Sequence, residues 1–172
     1  MISEEIYHRF ARNIQGGAGW TDRRFSRFHG LPKEARYLLC TDVLEFEIAN
    51  GGLPQLLWNT YFHWRWLLLV CEGAYSLFGA DAQKRAIPEF RRLLDAHDSR
   101  CRARILESVA TGKFRYFELW MEEANPTLQS EKEKLFYSGA HLQPLKEAWF
   151  VANEARIRTW LGAKWPERGS AE

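Results

Sequence analysis

The sequence predicts a single all-α domain, a bundle of about seven to nine helices over residues 1–172. Three observations support this fold class. Glycine and proline divide the chain into stretches of helical length, alternating strand patterns are nearly absent, and apolar residues recur every three or four positions. A chain of 172 residues buries about 70% of its unfolded surface, which suits one core. No change in composition marks a linker between domains.

Helix starts and stops are readable in the first half of the chain. We expect a first helix at about 3–14 and a second at 32–50, each with apolar residues on one face. The pair Gly51-Gly52 ends the second helix, because glycine accepts the left-handed backbone conformation that closes a helix. Pro54 then opens a third helix, since a proline fits the first turn.

The same signals predict the helices of the second half of the chain. The segment 65–78 is apolar over most of its circumference, which is typical of a helix at the centre of a bundle. Pro88 is expected to bend or break the helix that follows, and Asp98 or Ser99 to cap the next one. The remaining helices are predicted at 81–95, 99–111, 114–124 and 142–161.

Charge and apolar runs limit the class of protein. The net charge is +2, and the longest apolar run has six residues, from Trp66 to Cys71, against the roughly 20 that a membrane span requires. The N-terminus has no apolar region of a signal peptide. An odd number of cysteines, Cys40, Cys71 and Cys101, indicates reduced thiols. We therefore expect a cytoplasmic protein without a membrane association.

Catalytic and cofactor-binding motifs are missing from the sequence. The glycine-rich segment 16–19 is not followed by the Lys-Ser/Thr of a phosphate-binding loop. His97, Asp98 and Cys101 are the only ligand-like cluster, and a zinc site needs a further ligand. We therefore expect no catalytic residue, no cofactor and no metal. An enzyme of unrecognised type, using Glu47 as an acid or base, is kept as an alternative.

Four polar residues flank the predicted break between the second and third helices. Glu47 and Asn50 lie on the last turn of one helix, and Gln55 and Asn59 on the first turns of the next. A glycine joint turns these two faces toward each other, so we expect the four side chains to converge. Because the set contains neither a nucleophile nor a histidine, it is more typical of a hydrogen-bonded corner than of an active site.

The segment 44–59 also resembles a family signature, E-x-x-N-G-G-x-x-Q-x-x-x-N. The six matching residues are Glu47, Asn50, Gly51, Gly52, Gln55 and Asn59. The signature is that of a bacterial family of uncharacterised helical domains whose best-known relative is a DNA-mimic protein. The similarity is specific over about residues 44–80 and looser over about 30–160. The resemblance implies an all-helical fold and the binding of another protein, with no assigned catalysis.

Aromatic residues are concentrated in one short stretch. Five of them fall within nine residues: Trp58, Tyr61, Phe62, Trp64 and Trp66. A helix of this length cannot bury them all toward one neighbour, so the stretch is either an aromatic core or a candidate interface with another protein or a second copy.

Basic residues are concentrated between positions 84 and 104, a stretch that contains seven lysines and arginines and three aspartates and glutamates. The candidate basic patch consists of Arg85, Arg91, Arg92, Arg100, Arg102 and Arg104. Such a patch either contacts the phosphates of nucleic acid or forms ordinary solvated helix faces with paired charges. A sequence pI near 8.5 lies below the value of about 9 that is typical of nucleic-acid-binding domains.

These observations predict a non-catalytic protein-interaction module. We expect it to bind a protein partner as an immunity-like, regulatory or counter-defence protein of bacterial or phage origin, and self-association is a further option. A nucleic-acid-associated protein that uses the stretch 84–104 is the first alternative, and an unrecognised enzyme is the second.

Overall fold

The computed structural model describes residues 28–111, 133–134, 136–137 and 142–162. Within these ranges every regular element is a helix, which confirms the all-α class. The helices are α1 (Lys33–Asn59), α2 (Trp64–Phe78), α3 (Asp81–Thr111) and α4 (Leu142–Gly162). The predicted helices at 3–14 and 114–124 lie outside the described residues. Four described helices do not support the predicted count of seven to nine.

Helix α1 has two arms that meet at a glycine. Its backbone is helical except at Gly52, where φ is 68° and ψ is −159°. A side chain at Cβ disfavours this conformation, so glycine is required at this position. Pro54 follows in the first turn of the second arm, where its missing N–H leaves no helical bond unmade. The predicted stop and restart therefore lie where the sequence analysis placed them.

Helix α3 corrects the prediction of two helices at 81–95 and 99–111. It is continuous for 31 residues, with the exposed Pro88 inside it. Ser99 does not cap a new helix: its hydroxyl donates to the carbonyl of Asp95 at 2.8 Å, four residues back, as inside a helix. Asp98 is buried and accepts hydrogen bonds from the turn before α2 and from α2. No helix starts at Asp98 or Ser99, because Asp98 bonds Tyr61 and Arg65 and Ser99 bonds the preceding turn of the same helix.

The core lies between α1, α2 and α3. Helix α2 packs against the other three described helices and buries seven side chains, among them Trp64, Tyr75 and Phe78. Its opposite face is open: Leu69 is 62% exposed and Leu77 is 54% exposed. The prediction that α2 is enclosed is therefore correct for one face only, among the residues that the structure describes.

Helix α4 returns to cover α1 and α2. Trp149 lies 5.0 Å from the ring of Phe78 on α2 and 6.3 Å from that of Tyr37 on α1, measured between centroids. Phe150 and Ile157 are buried at 5% exposure each. None of the four helices combines the length and the apolar character that crossing a bilayer demands.

Candidate functional site

The joint of α1 encloses a buried carboxylate. Glu47, at the end of the first arm, is fully buried, and its Oε2 accepts hydrogen bonds from Gln55 Nε2 and from Asn59 Nδ2, each at 2.8 Å. Both donors belong to the second arm, so the three side chains bridge the break. We call Glu47, Gln55 and Asn59 the joint cluster. The expected convergence holds for these three residues.

Asn50 does not join the cluster. Its side chain is exposed and donates to the carbonyl of Phe46 at 2.7 Å, one turn back along the same arm. The amide N–H of Leu53, beside the break, donates instead to Glu133 Oε1 at 3.0 Å. A residue 80 positions away in the chain thus satisfies the backbone at the start of the second arm.

Glycine is needed at positions 51 and 52 for two different reasons. Gly52 supplies the left-handed φ of the break. At Gly51, an added Cβ would lie 2.5 Å from Oε1 of Gln55 and 2.8 Å from its Cβ, so the side chain of Gln55 occupies the space. Gly51 therefore allows Gln55 to reach Glu47.

The joint cluster is suited to holding two helix arms together. Burial raises the pKa of Glu47, while hydrogen bonds from Asn59 and Gln55 lower it in part. Its Oε1 is buried and has no hydrogen-bond partner among the described residues. The donors that reach the carboxylate are neutral amides, which neither accept nor deliver a proton at neutral pH. Within the ranges that the structure describes, no group of three or more His, Cys, Asp or Glu residues is arranged to hold a metal ion.

The aromatic stretch is divided between core and surface. Trp64 is fully buried and Trp66 partly so, with the ring of His29 4.1 Å from that of Trp66. Phe62, in contrast, is 59% exposed, and Tyr61 is half-buried. The side chain of Trp58 lies outside the described part of the chain. We call residues 61–66 the aromatic turn.

Two aspartates of α3 bind residues of the aromatic turn. The hydroxyl of Tyr61 donates to Asp98 at 2.7 Å, and Arg65 binds Asp98 at 3.0 Å and Asp95 at 2.8 Å. Burial and the neighbouring Asp98 raise the pKa of Tyr61 to about 12. Burial alone would raise the pKa of Asp98, but bonds from Tyr61 and Arg65 outweigh it and lower that pKa. The turn is thereby anchored to α3.

The candidate basic patch is partly neutralised within the protein. Arg91 pairs with Glu72 of α2 at 3.0 Å, and Arg92 pairs with Glu89 at 3.2 Å. Arg85 and Arg102 are exposed. The side chains of Arg100 and Arg104 lie outside the described residues. Two of the four described arginines are thus engaged in ion pairs with other helix residues.

A second buried cluster was not predicted from the sequence. Lys146 of α4 is 3% exposed, and its Nζ donates to Asp42 and, at 3.0 Å, to Glu45, both on α1. We call these three residues the Lys146 cluster. The signal was present in the spacing: Lys146 lies four residues after Leu142 and four before Phe150, on the apolar face of α4.

The fold and the joint cluster together define an all-helical protein with a broken helix whose two arms are bonded through one buried carboxylate. A family model described as DMP19-like protein matches residues 29–153, which span α1, α2, α3 and the first half of α4. The chain belongs to this family, a family of DNA-mimic proteins. No significant match to a curated protein or to a solved structure was found. The family inferred from the sequence is confirmed, whereas the signature itself stays a prediction.

Proposed function

We propose that this chain is a non-catalytic module that binds a protein partner through the aromatic turn. Membership of a DNA-mimic family favours a protein-binding role. The observation that carries the choice of surface is the position of Phe62, a large apolar side chain that is 59% exposed. We place the role in immunity, regulation or counter-defence in a bacterium or phage, and we expect it to operate in the cytoplasm.

The composition of the aromatic turn is that of a binding hot spot. Tyr61 packs edge-on against Phe62, with ring centroids 5.3 Å apart, and Arg65 lies 4.1 Å above the ring of Trp64. Tyrosine, tryptophan and arginine dominate the energetics of protein interfaces. Because Asp98 already holds Tyr61 and Arg65 in place, little side-chain entropy remains to be lost on binding.

Imitation of DNA is a poor description of this particular chain. A DNA mimic presents many carboxylates at its surface, whereas this chain has a net charge of +2. Asp42 and Glu45 are moreover paired with Lys146. We therefore propose that the fold is kept while the partner is recognised mainly through aromatic and arginine side chains.

The two alternatives receive less support from the geometry. For nucleic-acid binding, Arg91 and Arg92 would have to leave their carboxylate partners. For catalysis, Glu47 would have to act from a fully buried position between two amides.

Affinity purification from the host tests the proposal. We would compare the tagged wild-type chain with Phe62→Ser and with Val151→Ser, a matched control because Val151 is 60% exposed on α4. Quantitative mass spectrometry should show one protein whose recovery falls at least about tenfold with Phe62→Ser and is unchanged with Val151→Ser, as expected for an interface hot spot. Equal recovery with all three proteins would contradict the proposed surface.

Salt-dependent binding to duplex DNA tests the first alternative. Fluorescence anisotropy with the purified chain should show only weak, non-specific binding, with a Kd of about 100 µM or higher at physiological salt. Submicromolar binding that weakens steeply with salt, and that is lost in Arg85→Ala/Arg102→Ala, would favour nucleic acid instead.

A further inference from the structure

The Lys146 cluster joins α4 to α1 through an unequal set of charges. The Nζ of Lys146 lies 3.0 and 3.1 Å from the two carboxylate oxygens of Glu45 and also donates to Oδ1 of Asp42. The other oxygen of Asp42 is buried and has no hydrogen-bond partner among the described residues. Fully ionised, one ammonium and two carboxylates carry a net charge of −1.

Among the residues that the structure describes, the groups that face this cluster from α2 and from the segment 136–137 are two tyrosines and a cysteine, which carry no positive charge. From α2, the hydroxyl of Tyr75 lies 3.5 Å from Glu45, and the buried Cys71 lies near enough to interact electrostatically. From the segment 136–137, Tyr137 interacts with Glu45 as well. Burial is the main reason that the pKa of each of these three groups is raised, so all three are neutral at physiological pH.

A buried excess of one negative charge is costly, and a bound proton removes it. We propose that the Lys146 cluster is a proton-dependent latch: with α4 docked, Asp42 and Glu45 share one proton, and loss of this proton as pH rises loosens α4 from α1 and α2. The two carboxyls titrate as a coupled pair because they share one ammonium.

The direction of the pH effect follows from the docked and released states. Burial raises the pKa of Glu45 to about 7 from an ordinary value of 4.5, and it raises the pKa of Asp42 as well. When α4 leaves, Glu45 returns to water and to its ordinary pKa. The docked state therefore binds more protons, so docking is strongest below about pH 4.5 and weakens as pH rises to about 7. The pKa of Lys146 is itself raised, because its carboxylate partners outweigh its burial, so it stays charged throughout.

Release of α4 would uncover apolar surface. Trp149 covers Phe78 and Tyr37, and Phe150 is buried in the same region. The latch thus controls whether the rings of Tyr37 on α1 and Phe78 on α2 stay covered by Trp149. It does not rest on the proposed function, since it concerns only how the chain holds its own helix.

Hydrogen–deuterium exchange of the full chain, corrected for the intrinsic pH dependence of exchange, measures the opening of α4. We would compare wild type with Glu45→Gln and with Glu147→Gln, a control because Glu147 is an exposed carboxylate of α4 whose partner among the described residues is Gln143, outside the Lys146 cluster. Wild-type protection of α4 should fall about 100-fold between about pH 5 and pH 8. Glu45→Gln should keep α4 protected at both values and exceed wild type at the higher one, whereas Glu147→Gln should follow wild type.

This gain at high pH separates a latch from a merely structural contact, because removal of a purely structural carboxylate would lower protection. A flat wild-type profile, or a Glu45→Gln profile that falls like wild type, would overturn the proposal. Carbon-detected NMR titration of Glu45 in the wild type gives a readout that does not depend on the variant folding. A pKa near 4.5 would overturn the latch, and a value about 7 supports it.

Discussion

The joint cluster and the Lys146 cluster both bury carboxylates of the first arm of α1, yet they are built differently. Glu47 is held by two neutral amides that lie 8 and 12 residues further along the chain. Asp42 and Glu45 share an ammonium that lies more than 100 residues away. A local set of amides holds a bend that the backbone already makes, whereas a long-range ion cluster holds only as long as α4 stays docked.

The largest effect should come from removing the cation of the Lys146 cluster. Lys146→Ala leaves two buried carboxylates without their partner, so we expect a loss of about 3–5 kcal/mol in the free energy of unfolding near pH 7.5. The loss should shrink at pH 5, where protonation neutralises the carboxyls. Urea denaturation at the two pH values measures both quantities.

Another ion pair between the same two helices provides the control. Arg156 of α4 binds Glu34 of α1 at 2.8 Å, but the Arg156 side chain is 74% exposed. Arg156→Ala should therefore cost less than about 1 kcal/mol. Comparable losses in the free energy of unfolding for the two variants would show that burial does not make the Lys146 ion pairs contribute more than an exposed pair.

The second prediction concerns the joint cluster. Glu47→Ala removes the acceptor of two hydrogen bonds and leaves Gln55 and Asn59 half-buried without it, so we expect a loss of about 3 kcal/mol. Asn50→Ala should change stability by no more than about 0.5 kcal/mol, because Asn50 is exposed and its side chain bonds to the carbonyl of Phe46 in the same arm. Denaturant unfolding of both variants tests whether the cluster has three members or four. Equal losses for Glu47→Ala and Asn50→Ala would show that Asn50 belongs to the cluster.

The sequence was sufficient for the joint because every residue involved lies within 13 positions, so helix periodicity alone placed three side chains on facing turns. It failed for Asn50, since the side chain had a nearer acceptor in its own helix. It failed for Lys146 because the rotation and position of α4 on α1 depend on tertiary packing. Likewise Pro88 and Asp98 suggested a break that contacts from Tyr61 and Arg65 override.

A smaller effect is expected for the backbone of the break itself. Gly52→Ala forces a Cβ into φ 68° and ψ −159°, a region that is almost restricted to glycine, so we expect a loss of about 2 kcal/mol. Gly79→Ala is the reference: Gly79 ends α2 at φ 73° and ψ 23°, and an added Cβ meets nothing within 4 Å. It should cost about 1 kcal/mol. If thermal unfolding ranked the two variants in the reverse order, the break would owe little to the conformation of Gly52.

The smallest effect, and the sharpest, concerns Gly51. An added Cβ would lie 2.5 Å from Oε1 of Gln55, the end of a side chain that can move, and 2.8 Å from the Cβ of Gln55, which moves only with its backbone. Gly51→Ala should therefore cost about 1 kcal/mol, because Gln55 gives up one hydrogen bond to Glu47. In a Gln55→Gly background both obstructing atoms, Oε1 and Cβ, are gone, and alanine is favoured over glycine in a helix by up to about 1 kcal/mol. The same substitution should then be neutral or stabilising, a change of sign that a double-mutant cycle detects. If Gly51→Ala is equally destabilising in both backgrounds, the glycine is required by its own backbone and not by the approach of Gln55. Both glycines of the joint would then be required for their backbone conformation, and the approach of Gln55 to Glu47 would not explain Gly51.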